Sequence, residues 1–389
     1  MDKIKKSVFR FGIVSFLMDV SSEMILGVFS VFFTTILGAS TRLLGILEGL
    51  ADFSASVLDY FSGYVGDKTG QHKSVSVSGY SLSALAKILV ACVQTVGSAF
   101  TFRIVDRLGK SIRGSPRDAW LATVVPENTR GFAYALHKTF DKLGAITGAL
   151  IAYFLLITLG SGLPTYKLLF MLATIPAVLS VILLWKIPRR KVAPTTRESM
   201  FVVYKTFGQS FKRYVRCGAI FSLAYFSFSF FLLKAYDVGF TVAQVALLYA
   251  LMSFAFVVVA VPIGHLGDLV GRRLIIASSY FLFCLTCLGF AFATTKLEII
   301  MLFCLFGVFL SIDESQTKAF VTDLELVKRG SAVGFYNFVL SFGYVVASVL
   351  AGFLWTWNPM YAFLYSAVVS LVAFVHFLLR MDYVPKLAE

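Results

Sequence analysis

The chain has 389 residues, of which 58% are hydrophobic and only 14% are charged, and its formal net charge is +14. Soluble domains usually carry about 25% charged residues, so this composition excludes an ordinary soluble protein and indicates a polytopic membrane protein. Many of the cations lie in short segments between apolar runs, where basic residues orient membrane proteins. This placement argues against nucleic-acid binding.

Hydropathy predicts an all-α membrane protein with about twelve spans of ~20 residues or a little more. Several spans, notably the fourth, are too polar to be recognised by hydropathy alone. The first apolar run contains Asp19 and Glu23 and has no small-residue cleavage site, so we expect a retained helix rather than a signal peptide. The predicted spans are residues 8–36, 44–66, 74–95, 98–122, 131–159, 166–187, 214–237, 241–264, 274–294, 297–320, 331–356 and 358–379.

Basic residues concentrate on one side of these spans. They precede the first span, follow the second and the fourth, recur in the corresponding places of the second half, and are dense in the connection 188–213. The segments on the opposite side hold only scattered cations. Because cytoplasmic loops are enriched in Lys and Arg, we predict that both termini and this connection are cytoplasmic.

The two halves of the chain resemble each other in sequence. GYVGDKTGQHK (63–73) matches GHLGDLVGRRL (264–274), and SIRGSPRDAWLA (111–122) matches SIDESQTKAFVT (311–322), at an offset near 200. Ordered matches of this kind predict two six-helix bundles related as parallel repeats. The predicted domains are an N-terminal bundle (1–187), a cytoplasmic linker (188–213) and a C-terminal bundle (214–389).

The duplicated Gly-Asp-x-x-Gly-basic loop, with twelve predicted spans and a basic central linker, resembles the major facilitator superfamily. LMDVSSEMI (17–25), DRLGKSIRGSPRDA (106–119) and ALHKTFDKLGA (135–145) are similar to stretches of a group of bacterial permeases in that superfamily. The resemblance covers essentially the whole chain. It implies two bundles around a central cavity and alternating access by rocking, but it does not supply a substrate.

The resemblance also implies a gating role for the loop charges, which in the family pair across helix ends and hold one state closed. The first copy has Gln71-His72 where the second has Arg272-Arg273, so we expect the first latch to be weaker or pH-sensitive. A topogenic loop with solvated charges is the alternative. With the charges near the cytoplasmic end of span four and their counterparts in the second half, the predicted gating residues are Asp67, Lys68, Lys73, Arg113, Arg117, Asp118, Asp268, Arg272, Arg273, Asp313 and Glu314.

The fourth span carries a stripe of charge. On a helix with about 3.6 residues per turn its charged positions share an arc of roughly 140°, and aliphatic residues fill the opposite arc. Each central cation exposed to lipid would cost about 2.5–3.5 kcal/mol, so the stripe must face partners or water. The charged positions are Arg103, Asp106, Arg107, Lys110, Arg113, Arg117 and Asp118.

Groups of both signs on spans one, two and five are the expected partners of this stripe, whereas the second half is mostly uncharged at the matching positions. Arg and Lys bind carboxylates or phosphates, and a buried carboxylate can take up and release a proton. Ion-pair networks that merely hold the helices together are the alternative. The predicted substrate-binding residues are Arg103, Arg107, Lys110, Lys138 and Lys142. The predicted proton-coupling or cation-binding residues are Asp19, Glu23, Glu48, Asp106, His137 and Asp141.

These observations predict a proton-coupled secondary transporter of a small organic anion, such as a metal-chelating carboxylate or a siderophore-like metabolite. Efflux of amphipathic or cationic drugs is an alternative, because the chain has 40 Phe residues that can line a greasy cavity. Transport of divalent metals is another, because carboxylates on spans one and two offer hard oxygen ligands, and whether they bind metal is left open. A non-transporting scaffold or receptor is disfavoured, since it needs no wet interior.

An enzyme is not expected, because the sequence has no Gly-x-Ser-x-Gly, no His-Glu-x-x-His and no phosphate-binding Gly-rich loop. We expect no cofactor and no nucleic-acid partner. The expected partners are a small-molecule substrate, protons and the lipid bilayer, and we expect a monomer in the bacterial inner (cytoplasmic) membrane.

Overall fold

A computed structural model of the protein describes residues 2–90, 93–124, 130–188, 204–325 and 329–381. Within these ranges the side chains of residues 2–7, 130–132, 135, 268 and 329–330 are not described. Most of the predicted linker and the side chain of Asp268 therefore lie outside the described residues.

The described residues form thirteen α-helices with both ends described, one π-helical turn and a helical stretch at 204–206, with no strand among them, so the all-α prediction is confirmed. The helices are α1 (Asp2–Val31, continued by the π-turn Phe32–Ile36), α2 (Thr41–Thr69), α3 (His72–Val90), α4 (Val96–Val124), α5 (Arg130–Leu159), α6 (Leu163–Trp185), α7 (Gln209–Ser222), α8 (Ser229–Asp237), α9 (Val242–Val270), α10 (Arg272–Phe292), α11 (Lys296–Leu324), α12 (Arg329–Trp357) and α13 (Pro359–Arg380).

Each predicted span coincides with one helix except the seventh, which is divided into α7 and α8. The backbone carbonyls freed at this break have side-chain donors, since the Tyr365 hydroxyl donates to Leu223 O (2.9 Å) and Ser366 Oγ donates to Ala224 O (2.7 Å). Residues 223–228, which separate α7 from α8, include neither Gly nor Pro, so no local sequence signal marks the break. It depends on hydroxyl groups supplied by another helix.

Seven of the described helices are long and apolar enough to cross a membrane by length and composition. The strongly charged α4 is not among them, and the number of twelve spans stays a prediction. The seven segments are Val8–Ile36, Leu136–Leu159, Leu163–Trp185, Val242–Gly267, Arg272–Phe292, Ser331–Trp357 and Pro359–Arg380.

Contacts between residues divide the chain into two compact units. Unit 1 comprises Met1–Arg197 and Phe228–Phe254, and unit 2 comprises Glu198–Ser227 and Ala255–Glu389. In unit 1, α8 packs against α1, although the sequence repeat places α8 in the second half. The predicted boundaries of the two bundles and the linker are a separate, repeat-based division and stay a prediction.

Within unit 1, α3 and α4 approach each other at two glycines. A Cβ atom at Gly109 would lie 2.6 Å from Ser83 N, and one at Gly79 would lie 2.8 Å from Gly109 O. Only glycine permits this backbone contact, because any Cβ would overlap the facing helix. The close crossing places α4 deep within unit 1, with its charged stripe facing other helices.

Two side chains of α2 bind the backbone of α4 next to Pro116. Asp59 Oδ1 accepts a hydrogen bond from Ser115 N (2.8 Å), and Ser62 Oγ donates to Ser111 O (3.3 Å). A proline inside a helix removes one N–H donor and displaces the preceding turn. The side chains of α2 therefore stabilise α4 where its own ladder is interrupted.

We predict that Gly109→Ala lowers the free energy of unfolding by about 1–3 kcal/mol, because overpacking forces the two helices apart. Gly97→Ala is the matched control on the same helix, since a Cβ at Gly97 would have no atom of a described residue within 4 Å. The thermal unfolding midpoint of both purified variants in detergent is the measurement. Equal midpoints would contradict the close packing of α3 and α4.

Candidate functional site

The charged stripe of α4 meets the carboxylates of α2 in register. Arg103 binds Glu48 with two hydrogen bonds, Nε to Oε1 (3.0 Å) and Nη2 to Oε2 (2.7 Å), and both side chains are buried. One turn further along both helices, Arg107 forms an ion pair with Asp52. From the first pair to the second, the residue number rises by four on both helices. The helices α2 and α4 therefore run side by side in the same direction.

A lysine on α3 completes this network from a second side. Lys87 is fully buried, its Nζ donates to Ser22 Oγ (2.8 Å), and it lies 3.6 Å from Asp106 Oδ1. Lys87 is not among the site residues predicted from the sequence. A lysine enclosed by apolar residues near the end of a predicted span was the available signal.

Arg113 is held by side chains of α1 and α3. Its Nη1 donates to Ser83 Oγ (3.1 Å), its Nη2 lies 3.9 Å from Asp19 Oδ1, and its guanidinium stacks 4.7 Å from the centre of the Tyr80 ring. Cation–π contacts with a buried arginine add to the ion pair. The Arg113 guanidinium, predicted to act in gating, is thus anchored from two helices of unit 1.

The next turn of α4 connects α1 with α5. Arg117 donates to Ser15 Oγ (3.2 Å) and pairs with Asp118 (2.9 Å), and Ser15 in turn hydrogen-bonds Asp141. His137 Nδ1 lies 3.6 Å from Asp141 Oδ2, and its Nε2 has no hydrogen-bond partner among the described residues. The structure therefore brings together the predicted residues of spans one, four and five.

Lys110 and Glu23 differ from this paired network. Lys110 is partly buried in the middle of the stripe and makes no hydrogen bond or ion pair with a described residue. Glu23 is 6% exposed, and its Oε2 atom has no hydrogen-bond partner among the described residues. The charges of Lys110 and, more weakly, Lys142 act on Glu23. Its carboxyl group also accepts a hydrogen bond from Tyr249, which the sequence analysis did not identify.

Three basic residues that were predicted to act in gating contact other helices close to their C-terminal ends. Lys73 Nζ donates to Trp185 O (2.9 Å) and Ile187 O (2.7 Å) at the end of α6, and Arg273 donates to Leu378 O (3.0 Å) near the end of α13. Arg272 pairs with Asp323 at 2.5 Å. Basic groups at a helix C-terminus complement its partial negative charge, so these residues tie the loops to neighbouring helices.

The other loop residues lie in weaker contacts. His72 Nε2 is 3.8 Å from Asp67 Oδ1, and the exposed Lys68 lies over the Tyr64 ring at 5.8 Å. Burial lowers the pKa of His72 below its ordinary value, although the Asp67 charge opposes this shift. His72 is therefore neutral at neutral pH and gains a charge only in acid.

The acidic pair of unit 2 lies beside hydroxyl groups. Asp313 Oδ1 accepts a hydrogen bond from Thr317 Oγ1 (3.4 Å), which is also 3.4 Å from the Tyr214 hydroxyl. Glu314, its neighbour on α11, is partly buried. Among the described residues no cluster of three or more His, Cys, Asp or Glu side chains suits a metal ion.

Comparison with known proteins identifies the family. The family model of the Major Facilitator Superfamily matches residues 11–233 and 214–388. The chain belongs to this superfamily. It is 29% identical over 379 residues to an uncharacterized MFS-type transporter of Methanocaldococcus jannaschii, covering 95% of this chain and 94% of that protein. It is also 29% identical over 147 residues to the multidrug resistance protein MdtH of Cronobacter sakazakii, covering 36% of each.

Solved structures share the fold at low identity. The nucleoside transporter NupG (D323A mutant) has a TM-score of 0.79 at 14% identity and covers 97% of this chain and 100% of its own. The POT family transporter PepTSo has a TM-score of 0.80 at 10% identity, covering 96% and 97%. Because the family model matches nearly the whole chain, the protein is a multi-pass membrane transporter of this superfamily, and the predictions of family, fold class and a non-enzymatic function are confirmed.

We predict that Glu48→Gln lowers the free energy of unfolding by about 3–5 kcal/mol, because Arg103 would remain buried without a carboxylate. The control is Asp323→Asn, which breaks an ion pair whose carboxylate is 53% exposed and should cost about 1 kcal/mol or less. Chemical unfolding of both purified variants measures the difference. Losses of equal size would contradict a buried, mutually dependent pair.

Proposed function

We propose that the protein is a proton-coupled secondary transporter of a small organic anion, in which Lys110 binds the anion and Glu23 carries the proton. The observation that supports this most directly is the contrast along the α4 stripe. Arg103, Arg107 and Arg113 each have a carboxylate partner, while Lys110 has neither a hydrogen bond nor an ion pair with a described residue. A partly buried ammonium group with no hydrogen bond or ion pair to a described residue favours an anionic ligand.

The ion pairs of Arg103 and Arg107 change the role that we propose for these two predicted substrate-binding residues. An arginine that already binds a carboxylate bidentately must lose that partner before it can bind a substrate carboxylate. In this proposal Arg103 and Arg107 position α4 and shape the site, while Lys110, Lys138 and Lys142 supply the positive charge that faces the ligand. The proposed substrate class remains a small carboxylate.

Glu23 is proposed as the proton carrier because its surroundings suit two charge states. Burial of an ionised carboxylate with an unpaired oxygen is costly, and a bound proton removes that charge. The ammonium of Lys110 favours the ionised form through its charge. A substrate anion that neutralises Lys110 therefore makes protonation of Glu23 more favourable, which couples the two ligands on one unit.

We further propose that the protein works as a monomer in the bacterial inner membrane with both termini in the cytoplasm. The distribution of basic residues between the predicted spans supports the cytoplasmic position of the termini. The rocking of two repeats is the motion implied by membership of the superfamily.

Efflux of amphipathic or cationic compounds is the second candidate function. The local similarity to the multidrug resistance protein MdtH favours it, although that similarity covers 36% of the chain. In this alternative, Asp19 and Glu23 would accept a cationic ligand, and Lys110 would lie outside the binding step. The two candidates differ in the sign of the ligand charge.

The anion proposal predicts that small carboxylates stabilise the purified protein against heat and that Lys110→Gln weakens their binding at least about tenfold, since a charge-assisted hydrogen bond contributes about 1.5–3 kcal/mol. A thermal-shift panel of mono-, di- and tricarboxylates against matched amines is the measurement. Lys186→Gln is the control, because Lys186 is an exposed lysine of the same unit that is not among the predicted binding or gating residues. Stabilisation by the amines alone would overturn the anion proposal in favour of cationic efflux.

The coupling proposal predicts that Glu23→Gln abolishes proton movement but retains anion exchange, because the amide keeps the shape of the side chain and cannot titrate. The measurement uses reconstituted vesicles with a pH-sensitive dye inside and the most strongly stabilising carboxylate outside. Glu298→Gln is the control, since Glu298 lies in the capping box at the start of α11 and belongs to unit 2. Undiminished proton movement in Glu23→Gln would contradict the role of Glu23.

A further inference from the structure

Tyr249 lies on the part of α9 that belongs to unit 1, directly beside α1. A Cβ atom built on Gly27 would be 3.9 Å from the Cβ of Tyr249, so the backbone of α1 passes the Tyr249 side chain with no group in between. The Tyr249 ring also packs edge-on against Phe228, with ring centroids 5.4 Å apart. Contacts with Gly27 and Phe228 thus fix the position of the Tyr249 side chain beside α1.

The Tyr249 hydroxyl reaches the carboxyl group of Glu23, one turn before Gly27 on α1. Glu23 is 6% exposed, and its Oε2 atom lacks a hydrogen-bond partner among the described residues. The other charged groups that act on it are Asp19 on α1, Lys110 on α4 and Lys142 on α5. Tyr249 is the neutral hydrogen-bond donor within this charged group of residues.

We propose that Tyr249 is a positioning residue whose hydrogen bond to Glu23 links the protonation of that carboxylate to the contact of α9 with α1 at Gly27. This inference rests on the proposed function, in which Glu23 carries the proton. The new element is that protonation of Glu23 changes the position of α9 through the Tyr249 hydroxyl group.

The direction of the response follows from the strength of the hydrogen bond. A phenol donates more strongly to an ionised carboxylate than to a neutral carboxyl group. With Glu23 ionised, Tyr249 holds the adjoining turn of α9 against Gly27. When Glu23 binds a proton, the bond weakens and the packing of α9 on α1 loosens.

Hydrogen–deuterium exchange tests the inference without a transport substrate. The probe is the proton, applied to the purified full chain between about pH 8 and about pH 5, with exchange expressed as protection factors to remove the intrinsic pH effect. In the wild-type protein we expect the protection factors of residues 242–254 to fall about tenfold as the pH is lowered. A change of about tenfold corresponds to the loss of one charge-assisted hydrogen bond at the lower end of the usual range.

Three variants separate the possible causes. Tyr249→Phe should lose the pH-dependent change while keeping the aromatic packing, and Glu23→Gln should lose it as well. The double variant should behave like either single variant, because both remove the same hydrogen bond. Tyr166→Phe is the control and should retain the wild-type response, since the buried Tyr166 hydroxyl has no hydrogen-bond partner among the described residues.

The outcomes distinguish this inference from the proposed function. If Tyr249→Phe keeps the full pH response while Glu23→Gln loses it, Glu23 titrates but the role of Tyr249 is wrong. If Glu23→Gln also keeps the full response, the titrating group lies elsewhere, and both the inference and the proton-carrier role of Glu23 are overturned. An additive effect in the double variant would show that Tyr249 acts on α9 independently of Glu23, which also overturns the inference.

Discussion

The architecture of unit 1 depends on one constraint: charges on a helix inside an apolar protein must find partners. Moving an unpaired ion out of water costs several kcal/mol even after the protein relaxes. The stripe of α4 meets this requirement mainly with carboxylates of α1 and α2, as in the Arg103–Glu48 and Arg113–Asp19 pairs. These pairs contribute little net stability, because desolvation offsets their attraction. The pairs do determine which face of α4 turns inward and the position of α4 along the axes of the neighbouring helices.

The same constraint distinguishes structural charge from functional charge. A paired arginine such as Arg103 must lose its carboxylate partner before it can bind a substrate, whereas Lys110 in the same stripe has no hydrogen bond or ion pair with a described residue. Glu23 is its counterpart among the carboxylates, since one of its oxygens has no donor among the described residues. In a transporter, groups left unmet in one state are the natural positions for ligand and proton, because binding there changes the energy of that state.

The superfamily fold is compatible with many substrates. NupG, a nucleoside transporter, and PepTSo, a POT family transporter, share this fold with the chain at 14% and 10% identity. Likeness at that level concerns the helices and their order, while specificity depends on a few inward side chains. In the proposed transporter, the substrate is selected by residues such as Lys110 and its neighbours, which a fold comparison does not address.

The sequence alone was sufficient for the helical class, the approximate position of the spans, the family and the inward face of α4. These features follow from local rules, namely the length of an apolar run, the helical period and a duplicated loop. Tertiary structure alone decided that Arg103 pairs with Glu48, that Lys87 joins Asp106, that the seventh span breaks at Leu223 and that Tyr249 reaches Glu23. The physical reason is that these contacts join residues far apart in the chain, whose distances are set by the packing of whole helices.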